Sequence, residues 1–502
     1  MQTGTLLPPY FSHYFFYGDG FNHTQLFLKF INRIKPYKST TFVFQFLKDS
    51  NDMKKTLFLI LASIAVLLSS CGKKNAEKLL QTIPQNTQFL AMVNADNLAH
   101  DLGDEGEKQL DQFVANLSKS NKASDKLTKY ILSKDSQADL TEPFFFFEFN
   151  NAAIITFFVK DEDKFRSDIE GTLASEFSKE NDVWHLADNT VFVKGNQAWI
   201  TQKYPEIKPS EISSFTKIPK TSSMASVEYA VEMVEKDADV SALIDIKGIL
   251  QTNMNMSANL FLNMAFEDPR YLSYYMNFEK GKIQGEAVML NEKYQPAPFS
   301  LRPSKINAAS LSAYPGKGNM FLAAAFDSAT ISKIIGQVKG FAPVPPEIIK
   351  ALENIDGNIV MSSYVTGQNQ QPEQVGAMIT FKDPSFAQEC AEFLNGMLAS
   401  EGTSTQCRAD GKSLIVSTPG ELGQPIGAVA KDFEGAGLGF VLDTSGLNSQ
   451  ATGNIGALFS QLVVKLVDNG ASSNLEFNIS TARNQNSLVS LLQFINSSNT
   501  KQ

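Results

Sequence analysis

The chain is short of the residues on which most enzymes and metal proteins rely. Its 502 residues include three cysteines, four histidines and two tryptophans. Only His100 and His185 lie beyond the first 52 residues. Zinc sites draw three or four ligands from His, Cys and carboxylates, and two isolated histidines with two distant cysteines make a poor set. No HExxH, CxxC, GxSxG or Walker spacing occurs, so the corresponding hydrolytic, redox and nucleotide chemistries have no motif here. A basic excess is missing too. Lys and Arg number 44 against 53 Asp and Glu, a net charge of −9. Seven basic and three acidic residues fall in the first 70, leaving 37 against 50, or −13, for the rest. Such a chain repels phosphate backbones and anionic headgroups, which argues against nucleic acid as a partner.

What is present starts at Met53. Lys54-Lys55 forms a positive n-region, and Leu57 to Leu68 (LFLILASIAVLL) an apolar h-region. That run suits a signal peptide and is short of the roughly 20 residues that a spanning helix needs. Leu68-Ser69-Ser70-Cys71 follows and resembles the bacterial lipobox. The resemblance implies a signal peptide over 53–70 and an acylated Cys71 as the mature N-terminus. Residues 1–52 hold nine of the 38 Phe and four of the 13 Tyr with no sustained period. They read as a start codon placed too early, and are left out of the fold argument.

The mature chain is too long for one ordinary core, so two domains are expected. Residues 71–82 read as a polar tether, 83–294 as a first domain, 295–304 as a linker with three prolines, and 305–497 as a second domain. The two domains carry matching signatures. Ile83-Pro84, the run Phe89 to Val93, and Asp96 before a helix are echoed by Tyr314-Pro315, Phe321 to Ala325, and Asp327. Each Asp is suited to cap its helix. Lys160-Asp161 with Phe165 is echoed by Lys382-Asp383-Pro384 with Phe386. Gly195-Asn196 and Asp410-Gly411 read as tight hairpin turns, and Asp245 and Asp443 end comparable strands. The sequence therefore predicts an α+β fold of two similar domains, each a mainly antiparallel sheet with helices on one face.

No residue stands out as catalytic, cofactor-binding or metal-ligating. Asp101, Asp104, Glu105 and Glu107, like Asp161, Glu162 and Asp163, sit where helices begin and favour the helix dipole. Pro315 to Asn319 (PGKGN) has its glycines before a strand, the wrong side for a phosphate loop, and reads as a turn. Asp245 and Asp443 lack a base, nucleophile or metal partner and suit turn hydrogen bonding. Phe144 to Phe147 is apolar on both faces, as in a strand covered on both. Cys390 and Cys407, 17 residues apart, either pair in a disulfide or remain two buried thiols.

With the lipobox, tether, Pro-strand-Asp-helix opening and matched halves together, the mature chain resembles a family of Bacteroidetes envelope lipoproteins that carry a domain of unknown function. The resemblance implies an envelope address, an α+β fold and no known catalytic residues. The absence of an acidic run after Cys71 adds an outer-membrane lipoprotein facing the periplasm. The expected function is a non-enzymatic binding or scaffolding module with an envelope protein partner and membrane contact through lipid alone. The alternative is a hydrolase of envelope material using a carboxylate or Ser–Lys site. Mass spectrometry of the native protein should find lipid on Cys71 and no peptide from residues 1–70. A native peptide spanning Ser39 to Lys48 would overturn the early-start reading.

Overall fold

The structure is a computed structural model. It describes residues 75–499 except 118–122, 134, 151, 174–177, 181–182, 187–188, 203–206, 237, 253–261, 264, 301–302, 313, 315–316, 342–345, 365–373, 401–403, 419–423, 426–429, 445–457 and 469–471. Cys71 lies outside this range, and the lipobox with it.

The fold opens with α1 (Ala76–Gln81), β1 (Phe89–Val93), α2 (Ala95–Leu117) and α3 (Ala123–Ile131). Next come β2 (Phe144–Phe149), β3 (Ala152–Phe158), α4 (Glu162–Leu173), β4 (Ser178–Glu180), β5 (Val183–His185), β6 (Asn189–Lys194) and β7 (Gln197–Gln202). Helices α5 (Pro209–Phe215) and α6 (Glu228–Glu235), β8 (Val240–Asp245), α7 (Ile246–Thr252), β9 (Tyr271–Glu279) and β10 (Lys282–Leu290) follow. The later part has α8 (Ala308–Ser312), β11 (Lys317–Gly318), β12 (Met320–Phe326), α9 (Ser328–Phe341), α10 (Pro346–Glu353), β13 (Ile355–Tyr364) and β14 (Gln374–Phe381). Then come α11 (Pro384–Ser400), β15 (Gln406–Asp410), β16 (Ser413–Ser417), β17 (Gln424–Pro425), β18 (Leu438–Asp443), β19 (Phe459–Asp468), β20 (Ser473–Thr481) and α12 (Ser487–Asn499).

All strands but β11 and β17 join one 18-stranded sheet. Every ladder is antiparallel. From one edge to the centre the strands run 4-5-6-7-3-2-1-8-9-10. From there to the other edge they run 20-19-18-12-13-14-16-15. The fold is thus α+β with a large antiparallel sheet. What the sequence suggested as two sheets is joined edge to edge through β10 and β20, from Lys282↔Ser480 to Val288↔Asn474.

Local signals explain much of this. Gly195 and Asn196 both have φ of 60°, which builds the tight turn between β6 and β7. The later hairpin turns on Gly411-Lys412 rather than on Asp410-Gly411, with Gly411 at φ 56°. Pro384 opens α11, where its missing N–H is not needed, and Asp383 Oδ1 accepts the Ser385 N–H at 2.8 Å. The cap of α2 is Asn94 rather than Asp96, because the helix starts at Ala95 and the Asn97 N–H reaches Asn94 Oδ1 at 3.4 Å. Asp327 caps α9 as expected, accepting from the Thr330 N–H at 2.7 Å.

The core corrects the expectation of helices on one face. Along β1, Ala91 and Val93 face one way, here called the back, and Leu90 and Met92 the other, the front. Behind the first half lie α2, α3, α4 and α12, with Leu98, Phe113, Phe165 and Leu492 in one cluster with Ala91 and Phe144. In front lie α1, α5 and α6, with Leu79, Phe215 and Met233 around Leu90 and Phe147. Phe144 to Phe147 alternate between these clusters and are all buried, because a strand apolar on both faces needs cover on both. Behind the second half α9, α10 and α11 pack on Phe381 and Leu414. Within the proline-rich stretch, Ala297 and Phe299 are packed rather than free, joining Phe266 and Leu466 in the core.

Phe165 and Phe386 do not occupy the same place after their aspartates. Phe165 accepts no solvent and its N–H bonds to Asp161 O, whereas the residue bonding to Asp383 O is Ala387, not Phe386. Phe386 is half-buried and sets its ring edge-on against Phe381 at 5.2 Å. The C-terminal helix also crosses over. Leu488, Val489 and Leu492 of α12 belong to the first half's rear core, and Asn496 Nδ2 donates to Gln109 O at 2.8 Å.

Trp184 and Trp199, the only two tryptophans, are buried in the first half. Their fluorescence should therefore report the loss of a contact made almost 300 residues away in sequence. Leu492→Ala should lower the urea midpoint of that signal, at a cost of about 2–5 kcal/mol, and Phe165→Ala about 3–5 kcal/mol. An unmoved tryptophan transition in Leu492→Ala would show that α12 does not hold the first half.

Candidate functional site

The residues flagged in the sequence are dispersed, and several are structurally engaged. His100 is exposed on α2 and His185 half-buried at the end of β5. Glu105 is exposed, bridges to Lys108 at 3.7 Å and accepts from Gln109 Nε2 at 3.3 Å. Asp101 is half-buried, and burial pushes its carboxyl above the usual range against a hydrogen bond with Asp239. Asp161 Oδ1 accepts the Lys164 N–H at 2.9 Å and so caps α4. Glu162 holds Arg166 at 2.7 Å and accepts the Gly195 N–H at 2.9 Å. Burial opposes its ionisation, but the Arg166 hydrogen bond and the two turn amides outweigh it and lower the pKa.

Asp245 is buried and fully used. Its Oδ1 accepts the Gly248 N–H at 2.8 Å, and its Oδ2 faces Arg270 Nη2 at 3.2 Å. Asp443 is half-buried, with its N–H donated to Asn319 O at 2.7 Å. Lys317-Gly318 is a two-residue strand paired with Gln424-Pro425 rather than a turn; residues 315–316 lie outside the described residues. Among the described residues no group of three or more His, Cys, Asp and Glu side chains could hold a metal ion. No described helix is long and apolar enough to cross a membrane.

Cys390 and Cys407 are free thiols, half-buried and buried. They share a core cluster but are not bonded to each other. Asn395 clasps the Cys407 backbone, accepting its N–H at 2.8 Å and donating to its carbonyl. Cys390 lies five residues earlier on α11, roughly 7.5 Å of helix rise away from that clasp. Burial pushes the Cys407 thiol up to about 11 and raises that of Cys390 as well.

An open site with converging polar groups lies on the front face, where the halves meet. Its floor is β9, β10, β20 and β19, and its walls carry Lys236 beyond α6 and Asp432 in the 3-10 turn Ala430–Phe433. The furrow holds about 500 Å³ and is broadly open. Glu286 and Glu476 stand directly opposite each other across the β10–β20 ladder. Two carboxylates so placed repel by a few tenths of a kcal/mol or more unless neutralised. Each has its own lysine: Lys236 bonds Glu286, and Lys465 faces Glu476 at 3.9 Å. The Lys236 ammonium also sits 3.7 Å over the ring centre of Tyr275, a cation–π contact that fixes it. Burial pushes the Tyr275 hydroxyl well above the ordinary tyrosine range.

The joint has a steric requirement. Gly285 lies opposite Phe477, and a Cβ there would come within 2.0 Å of Tyr275 O and 2.5 Å of the Phe477 ring. None of these residues was singled out from the sequence. A signal was available in β20, where Asn474, Glu476, Asn478 and Ser480 alternate with Leu475, Phe477 and Ile479. Such alternation marks a strand with one wet face, here at the middle of a sheet.

No family model matches the chain, and no curated relative does. A solved structure titled "Structure of crystal form I of TP0453" aligns with 70% of this chain and 97% of that chain, at 9% identity and a TM-score of 0.28.

The thiol chemistry gives a direct check. The unfolded, unreduced full chain bearing Cys71→Ser should titrate two free thiols. In the native state at pH 8 Cys407 should react with a maleimide roughly tenfold more slowly than Cys390, because it exposes less thiolate. A count of zero would establish a disulfide.

Proposed function

We propose that this chain is a lipid-anchored binding or scaffolding protein of the bacterial cell envelope, built from two copies of one α+β unit. The anchor would be Cys71, and the outer membrane facing the periplasm its address. Support for the anchor is the order of n-region, h-region and lipobox. Support for the two copies comes from pairing. The order 6-7-3-2-1-8-9-10 in one half and 15-16-14-13-12-18-19-20 in the other follows the same connections. Matching hydrogen bonds recur: Asp245 N to Gln88 O and Asp443 N to Asn319 O, both 2.7 Å; Val159 N to Asn196 O and Phe381 N to Lys412 O, both 2.9 Å. Lys160 N to Gln137 O at 2.7 Å and Lys382 N to Asn354 O at 2.8 Å form a third set. In this reading Asp245 and Asp443 are equivalent strand ends, and Glu286 and Glu476 are equivalent residues that meet at the axis between the copies.

The furrow carries the binding reading. It is wide and polar, its two glutamates are each engaged by a lysine, and Asn478 Oδ1 is enclosed there without a hydrogen-bond partner. An acceptor left so costs about 1–3 kcal/mol, which a ligand N–H would relieve. A second reading attaches to the same pair, because facing carboxylates are what a retaining glycoside hydrolase uses. Against it, each carboxylate is already engaged by a lysine.

Turnover separates the two. Incubated with peptidoglycan fragments, envelope oligosaccharides or phospholipid, the full chain should release no product above background. Turnover that disappears in Glu286→Gln or Glu476→Gln would replace the binding reading with the hydrolytic one.

A further inference from the structure

The rear of the second half carries an apolar row that the first half keeps covered. Val464, Phe440, Leu322, Met361 and Ala377 lie opposite one another in turn across β19, β18, β12, β13 and β14. Leu322 is 38% and Met361 41% exposed, and Val375 beside them 41%. These are three of the four large hydrophobic side chains exposed among the described residues. Phe440, Val464 and Ala377 are half-buried.

The corresponding row in the first half is Tyr274, Ala242, Ala91, Phe146 and Ile155, opposite one another in the same way across β9, β8, β1, β2 and β3. There Ala91, Ala242 and Phe146 are buried in the rear core to which α2 and α12 contribute, α12 lying against α2 and β9. Two differences leave the second row open. Helix α2, kinked at Gly103, runs 23 residues, while α9 in the matching position runs 14. The helix after β20, α12, crosses to the first half, whereas the helix that follows β10, α8, packs its Leu311 on the front face with Phe321 and Val360 and does not return the contact. Between β10 and α8 the chain packs Ala297 and Phe299 into the core at the joint.

We propose that this row seats an amphipathic helix supplied by another polypeptide. Five strands at about 4.8 Å spacing make a row of roughly 19 Å, which about 13 helical residues span. Helix α12 has 13 residues and presents Leu488, Val489 and Leu492 to the covered row's core. The partner helix therefore has α12's length and an i, i+1, i+4 apolar stripe, the helix-in-groove mode of recognition. This face is opposite the furrow, so the two sites succeed or fail separately.

The probe is a labelled synthetic peptide with the sequence Ser487 to Asn499, added to the full chain bearing Cys71→Ser. Saturable binding is expected, weakened at least tenfold by Leu322→Glu and by Met361→Glu with the thermal midpoint unchanged. A peptide with Leu488→Glu and Leu492→Glu should not bind. If the peptide fails to bind, or binds the Glu variants equally well, the proposal is wrong. Sedimentation as a dimer that Met361→Glu dissociates would replace the partner helix with a second copy. Binding to phosphatidylethanolamine–phosphatidylglycerol vesicles that Met361→Glu abolishes would replace it with a lipid surface.

Discussion

The pairing of β10 with β20 is the contact on which the architecture depends. Without it the strands form two sheets, each with an open edge exposing unpaired backbone N–H and C=O groups. With it the sheet is continuous over 18 strands, and two edges become interior. The pairing needs a residue without a side chain at Gly285, so that Phe477 can lie across the joint. It also needs two lysines, because it brings Glu286 and Glu476 face to face.

That joint places the furrow and limits what the furrow does. The front helices of the first half stop at Lys236, and front cover of the second half resumes at the turn holding Asp432. Between them the sheet floor is bare, which is why β20 alternates polar and apolar residues there. Two lysines stand against three carboxylates in its lining, so the site offers directional polar contacts rather than a strong field of one sign. The nucleophile–base–orienter geometry of covalent catalysis is not assembled by its lining residues.

The crossover of α12 treats the two ends of the sheet differently. One helix completes the first half's rear core, while on the rear of the second half Leu322 and Met361 stand exposed. Burial of a large aliphatic side chain is worth about 1.5–3 kcal/mol, so an uncovered row of this kind carries a standing incentive for association. Front and rear thus offer surfaces of different character, polar at the joint and apolar beyond it.

The sequence by itself determined the local features. The Gly195-Asn196 turn, the Pro384 helix start, the Asp327 cap and the two-sided burial of Phe144 to Phe147 all follow from side chains acting within a few residues of themselves. Tertiary structure alone decided the rest. Helices lie on both faces because long connections carry them there, and no local propensity records a direction. Cys407 is clasped by Asn395 rather than bonded to Cys390 because α11 and β15 dock in one register among several that the spacing allows. The meeting of Glu286 with Glu476 joins residues 190 apart, through backbone hydrogen bonds that any pair of strands can make. Which edges met was settled by what the remaining faces could bury.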